Sequence, residues 1–69
     1  MNEITEIQRR ILICVREWIA EHGEGPTIRE IGQQVGLSST SSTAYQLGRL
    51  EQHGLISRNA RSWRSIRLC

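Results

Sequence analysis

The stretch "TIREIGQQVGLSSTSSTAYQLGRLEQHG", residues 27–54, decides how this chain folds. It opens with Thr27 followed three residues later by Glu30, the form of a capping box, in which two side chains satisfy free amides at a helix start. Ile28, Ile31 and Val35 share one apolar face, and Gly36 is a natural terminator, so a helix of about two turns is expected over 28–35. Six consecutive hydroxyl residues follow, Ser38 to Thr43. Such a run usually reads as a loop, because Ser and Thr compete with a helix for backbone hydrogen bonds. Yet Leu47 and Leu50 sit three apart and their stripe extends back to Thr43. A second helix is therefore expected over 40–53, closed by Gly54.

Two short helices joined by so tight a turn make a candidate helix-turn-helix unit. Their close crossing needs a small residue, and Gly32 lies where that contact would fall. Gly36 can take the left-handed conformation the turn requires, and Leu37 would plug the crossing from the turn itself. An ordinary helical hairpin would fit the same residues. Outward from this unit, Thr5 and Gln8 repeat the capping box. Ile7, Ile11, Val15, Trp18 and Ile19 then form an amphipathic stripe, with Gly23 beyond it, which predicts a first helix over 5–22. Pro26 disfavours helical geometry at Gly25 and makes "GEGPT" a turn.

The tail changes period. Ile66 and Leu68 alternate with Ser65, Arg67 and Cys69, as a half-buried strand does, and "LIS" at 55–57 can pair with it. Residues 55–68 thus read as a hairpin. The expected fold is mainly α with a small β-hairpin, a winged helix-turn-helix: a three-helix bundle plus a C-terminal wing, as one domain over 1–69.

Size narrows the function. A chain of about 60 residues buries only about 60% of the surface its unfolded form exposes. That leaves little room for an enclosed cavity beside a core, and a binding module is expected in preference to an enzyme. With no Phe, two Trp and one Tyr among 69 residues, the core must be mostly Ile, Leu and Val. Residues 1–30 hold four Arg and six Glu, whereas residues 31–69 hold five Arg and one Glu. The basic C-terminal half suggests an anionic partner such as nucleic acid, although a solvated surface explains charge alone equally well.

No catalytic constellation is evident. His22 and His53 occupy last-turn positions that the helix dipole favours, and no Ser has a base or Lys partner. Neither a Gly-rich phosphate loop nor metal-ligand spacing occurs, so no cofactor, metal or small-molecule ligand is expected. Cys14 falls in an apolar stripe and is expected to be a buried free thiol. With no signal peptide and no membrane-length apolar run, a cytoplasmic location is expected.

The outward face of the 40–53 helix follows from its period of 100° per residue. With Thr43, Leu47 and Leu50 inward, Ser41, Tyr45, Gly48 and Gln52 face out. Ser42 and Arg49 flank them on one side and Ala44 on the other. Short hydrogen-bonding groups suit a helix whose start comes close to base edges: Ser can donate or accept, and Ala can touch a thymine methyl. Ser38, Ser39 and Thr40 lie at the helix start, where free amides and the dipole favour a phosphate; capping accounts for one of them in any protein. Arg58, Arg61, Arg64 and Arg67 sit on the hairpin, where cations can hold the DNA backbone. Arg61 and Arg64 are favoured because a turn projects from the body. Trp63, between them, has three readings open: a stack on a sugar, a clamp on an Arg stem, or a return to the core.

At this level of detail the chain resembles a known family. "EIQRRILICVREWIAEHGEGPTIREIGQQVGLSSTSSTAYQLGRLEQHGLI", residues 6–56, resembles the N-terminal DNA-binding domain of LexA, the SOS-response repressor. It looks most like the actinobacterial branch, whose usual form is "PPSMREIG…VGLSSTSSVAHQL…LE…G". The closing "SIRL" is similar to the family's last strand. The resemblance implies a winged helix-turn-helix that binds palindromic operators in double-stranded DNA, in this branch with GAAC and GTTC half-sites. It carries base contacts onto Ser39, Ser41, Ser42, Ala44 and Tyr45, and wing contacts onto Arg61 to Arg64. Paired half-sites imply a homodimer on DNA.

Two departures stand out. The family's second domain, which dimerises and carries a Ser–Lys peptidase dyad whose self-cleavage RecA stimulates, has no counterpart in these residues. Tyr45 also stands where the branch carries His. The expectation is a sequence-specific transcriptional repressor. The alternative is a winged-helix adaptor that binds protein and no DNA, with Trp63 and Tyr45 as its anchors.

Overall fold

The computed structural model describes residues 4–58 and 66–68. Three helices, α1 (Glu6–His22), α2 (Ile28–Val35) and α3 (Thr40–Gln52), precede two short strands, β1 (Ile56–Ser57) and β2 (Arg67–Leu68). The strands pair antiparallel, with Ile56 opposite Leu68 and Ser57 opposite Arg67. This is the winged helix-turn-helix arrangement that the residues predicted. The part of the expected 55–68 hairpin between Arg58 and Ile66 lies outside the described residues.

Both capping boxes form. On α1 the Gln8 amide donates to Thr5 Oγ1 at 3.2 Å, and the Thr5 amide donates to Gln8 Oε1 at 3.0 Å. On α2 the Glu30 amide donates to Thr27 Oγ1 at 3.1 Å and the Thr27 amide to Glu30 Oε1 at 2.8 Å. Gly23 and Gly36 close these helices with φ of 76° and 83°, a left-handed conformation that costs glycine nothing.

The expected bounds need correction by one residue at three places. Thr5 has extended φ and ψ and caps α1 without joining it. His53 caps the C-terminus of α3 in place of ending it, and Leu55 precedes β1. His22 is more than a favourable end charge, since its ring packs on Trp18 with centroids 4.6 Å apart.

Ile11, Val15, Ile31, Val35, Leu47, Leu50, Ile56 and Ile66 form the core, so every element except β2 itself contributes, and Ile66 adjoins β2. As expected it is aliphatic. Thr43 is fully buried among these residues, which puts the third residue of the α3 stripe inward as its period required. Gly32 explains how α2 and α3 approach. A Cβ there would lie 2.9 Å from Thr43 Oγ1 and 3.4 Å from the Leu37 carbonyl oxygen. Gly25 does the same for the wing: its Cβ would collide with the Ile66 carbonyl, so the turn before α2 sits directly on the chain entering β2. Cys14 is half-buried, less than expected, because it lies on the edge of the apolar stripe. Burial first, and then the Glu17 and Glu30 carboxylates, raise its pKa and keep the thiol protonated and unreactive.

Candidate nucleic-acid interface

The hydroxyl run divides its labour residue by residue. Ser39 is the N-cap of α3, and its Oγ accepts from the Ser41 amide at 3.1 Å and the Ser42 amide at 3.4 Å. Thr43, four residues on, donates its hydroxyl to the Ser39 carbonyl at 3.2 Å. The cap is thereby tied through Thr43 to Gly32, so the helix crossing and the start of α3 are one construction. Ser38, Thr40, Ser41 and Ser42 are exposed, and their hydroxyls make no hydrogen bond among the described residues. Local capping accounts for one hydroxyl and core packing for another. Four are free of both duties, and Ser39 still has its hydroxyl hydrogen to donate.

The rest of the expected face follows the same helix. Tyr45 is 64% exposed, Arg49 and Gln52 are exposed, and Ala44 is half-buried. Arg49 reaches Gln52 at 3.5 Å, a contact at the limit of a hydrogen bond, so its guanidinium keeps donors for other use. Gly48 is half-buried because Arg58 lies over it: a Cβ on Gly48 would be 3.8 Å from Arg58 Nη2. Arg58 Nε is in turn paired with Glu51 Oε1 at 3.1 Å. The root of the wing is thus braced against α3, and Arg58 belongs to that brace. Arg61, Trp63 and Arg64 lie outside the described residues.

Two features of the candidate site lie outside the expected face. Arg29 and Gln33 of α2, with Ser38, Ser39, Thr40 and Thr43, line an open groove of about 380 Å³ between α2 and the start of α3. Their spacing of four along a helix was the available signal, since it places both on the stripe beside Ile28 and Gly32. Arg29 is exposed and forms no ion pair among the described residues, so the groove has an uncommitted cation at its edge. Gln46 is the second. It is half-buried and accepts a hydrogen bond from Gln8 at 3.0 Å, which ties α3 to the start of α1.

The electrostatics are one-sided. Glu6 and Glu30 stand in the first turns of α1 and α2, whereas α3 has no acidic residue in its first turn. Its amide dipoles therefore remain uncompensated, a condition that favours an anion. Among the described residues no group of His, Cys, Asp and Glu could hold a metal, and no helix is long and apolar enough to cross a membrane.

Comparison with known proteins agrees with this geometry. Residues 1–65 match the family described as the LexA DNA binding domain. The chain is 49% identical over 65 residues to the LexA repressor of Mycobacteroides abscessus, covering 94% of this chain and 29% of that one. It is 48% identical over 56 residues to the LexA repressor of Streptomyces coelicolor, covering 81% of this chain and 24% of that one. With the LexA repressor of Mycolicibacterium smegmatis, identity is 46% over 65 residues, 94% and 27% of the two chains. The chain spans less than a third of the length of these relatives. The matched part is their DNA-binding domain, in keeping with a binding module. By its sequence match and its fold, this chain belongs to the LexA DNA-binding domain family.

Proposed function

We propose that this chain reads specific double-stranded DNA and acts as a transcriptional repressor, with α3 in the major groove and the wing on the backbone. The observation that carries this reading is the start of α3. Exposed, unsatisfied hydroxyls cluster there on a helix terminus with no acidic residue to neutralise it. Ser39, Ser41, Ser42, Ala44 and Tyr45 take the base edges or adjacent phosphates, and Ser38 and Thr40 hold phosphate at the helix start. Arg29 supplies a backbone contact from α2, since the first helix of such a pair crosses the backbone. Arg49, Arg61, Arg64 and Trp63 complete the interface beside the groove. Repression follows from occupying a promoter.

A palindrome of GAAC and GTTC half-sites is the proposed operator, read by two copies. A single domain should bind one half-site weakly. Tyr45, in place of the His usual in the actinobacterial branch, is the residue most able to shift that code. The work is done on DNA in the bacterial cytoplasm, with no cofactor. The adaptor reading fares worse, because a protein-binding face of α3 would carry large apolar groups where this one has Ser, Ala and Gly.

The test is fluorescence anisotropy at two salt concentrations, comparing a duplex with inverted GAAC and GTTC half-sites against a scrambled duplex of equal length. Tighter, salt-sensitive binding to the palindrome is expected. Equal binding to both removes the proposed operator, and no binding to either removes the DNA reading in favour of a protein partner.

A further inference from the structure

We infer that Gln46 is a DNA-contacting residue whose side-chain amide is held ready by Gln8, from the first turn of α1. This rests on the DNA-binding reading above and extends it to a side chain that neither the outward face of α3 nor the family match singles out.

The relay starts at a backbone amide. The Thr5 N–H can only donate, and it donates to Gln8 at 3.0 Å, so the atom of Gln8 that receives it is the carbonyl oxygen, Oε1. The other arm of Gln8 is then its NH2 group. That group can only donate, and it lies 3.0 Å from Gln46, whose receiving atom must be its own carbonyl oxygen. The orientation of each carboxamide is therefore dictated by the one before it. Gln8 is 5% exposed, so water offers little competition for this relay. What is left of Gln46 is its NH2 group, a donor with no partner among the described residues.

Position gives that donor its use. Gln46 follows Tyr45 directly and stands four residues after Ser42 and three before Arg49, so the three share one flank of α3. Ser42 and Arg49 are exposed. Ser42 Oγ, Gln46 Nε2 and Arg49 form a row of donors along that flank, and DNA presents acceptors there: phosphate oxygens and the N7 and O6 atoms of purines. A free glutamine could turn either its oxygen or its nitrogen towards these. This one is preorganised to offer nitrogen only, so no ordering of the side chain remains to be done on binding. Gln8 touches no DNA in this scheme and acts as a positioning residue.

The test uses the full chain with the palindromic and scrambled duplexes named above. Gln46→Met keeps shape and removes the donor. We expect binding to fall roughly three- to tenfold, the size of one net hydrogen bond. A loss confined to the palindrome assigns a base edge as the acceptor, and an equal loss on both duplexes assigns a phosphate. Gln8→Met is expected to weaken binding as well, and the double variant to be no weaker than Gln46→Met, because both remove one coupled unit. Thr5→Ala serves as the structural control. It lowers the melting temperature by loss of the cap but leaves the relay and the affinity in place, which separates positioning from stability. As a reading independent of variants, the Gln46 side-chain amide pair in a nitrogen-15 correlation spectrum should shift when the palindrome is added. Binding by Gln46→Met within twofold of the parent, or an unmoved Gln46 amide pair in the bound parent, overturns the inference. A parent that binds neither duplex overturns the DNA reading itself, and the inference falls with it.

Discussion

At the start of α2, Thr27 and Glu30 close on each other through two hydrogen bonds; at the start of α3, Ser39 receives two amides, and among the described residues no side chain three residues on accepts from the Ser39 amide. The position that holds Glu30 in α2 holds Ser42 in α3, three residues after the cap in each case. A glutamate there would satisfy one more amide and oppose the helix dipole, each worth a fraction of a kcal/mol up to about 1 kcal/mol. The start of α2 is built for stability and the start of α3 is left unfinished, although only residues 36–39 lie between the two helices. The difference teaches that α3 forgoes a stabilising contact available to any helix. What it keeps is a positive terminus and hydroxyls that are free for a partner.

The sharpest way to break this comparison is to complete the missing box. Ser42→Glu should raise the stability of the free chain by about 0.3–1 kcal/mol, read as a higher thermal midpoint. It should weaken binding to the palindrome by about 1–3 kcal/mol or more, since it replaces a base-edge hydroxyl with a carboxylate facing an anion. Both signs matter. A stabler variant with undiminished affinity would mean the open start of α3 has no functional meaning.

A paired test sharpens the same contrast at smaller amplitude. Thr27→Ala and Ser39→Ala each remove an N-cap oxygen, and each should cost about 1 kcal/mol of stability. Only Ser39→Ala should also weaken DNA binding when both are measured well below their melting points. Equal effects of the two on affinity would show that caps act on binding through stability alone.

Both helix starts are legible in the amino-acid sequence itself. Each capping box shows because its partners stand three residues apart, and the helix ends show because a cap and a left-handed glycine are local events. Thr43 reads as a core residue from periodicity. Gly32 is legible too, because a close crossing demands a residue without a side chain somewhere in "EIGQQVG". The contacts that escape such a reading are those that join distant segments. Gln8 has an evident local duty as a cap partner, which hides its second bond to Gln46, 38 positions away. Gly25 reads as a turn residue, although the fold uses it to seat Ile66. Arg58 reads as one more wing cation, whereas Glu51 and Gly48 place it in the body. Each of these depends on how helices and wing sit against one another, which no local pattern encodes. The candidate site is legible for the same reason as the helices: one stripe of α3 determines the opposite stripe.

The smallest effect belongs to that brace, and it extends the comparison from the start of α3 to its end. Arg58 and Glu51 have side chains 29% and 42% exposed, so water and salt screen much of their attraction. Glu51→Gln retains an oxygen that can accept from Arg58 Nε, and the loss of stability should stay under about 1 kcal/mol. DNA binding should strengthen slightly, because Glu51 is the one acidic residue between positions 31 and 69. The informative quantity is the slope of log affinity against log salt. If Arg58 stays over Gly48 as a brace, the slope is unchanged. If the released guanidinium takes a phosphate, the slope steepens by about 0.9, the signature of one more counterion released. Arg58, unlike Arg49 at that end of α3, would then owe its lack of a DNA contact to Glu51 alone.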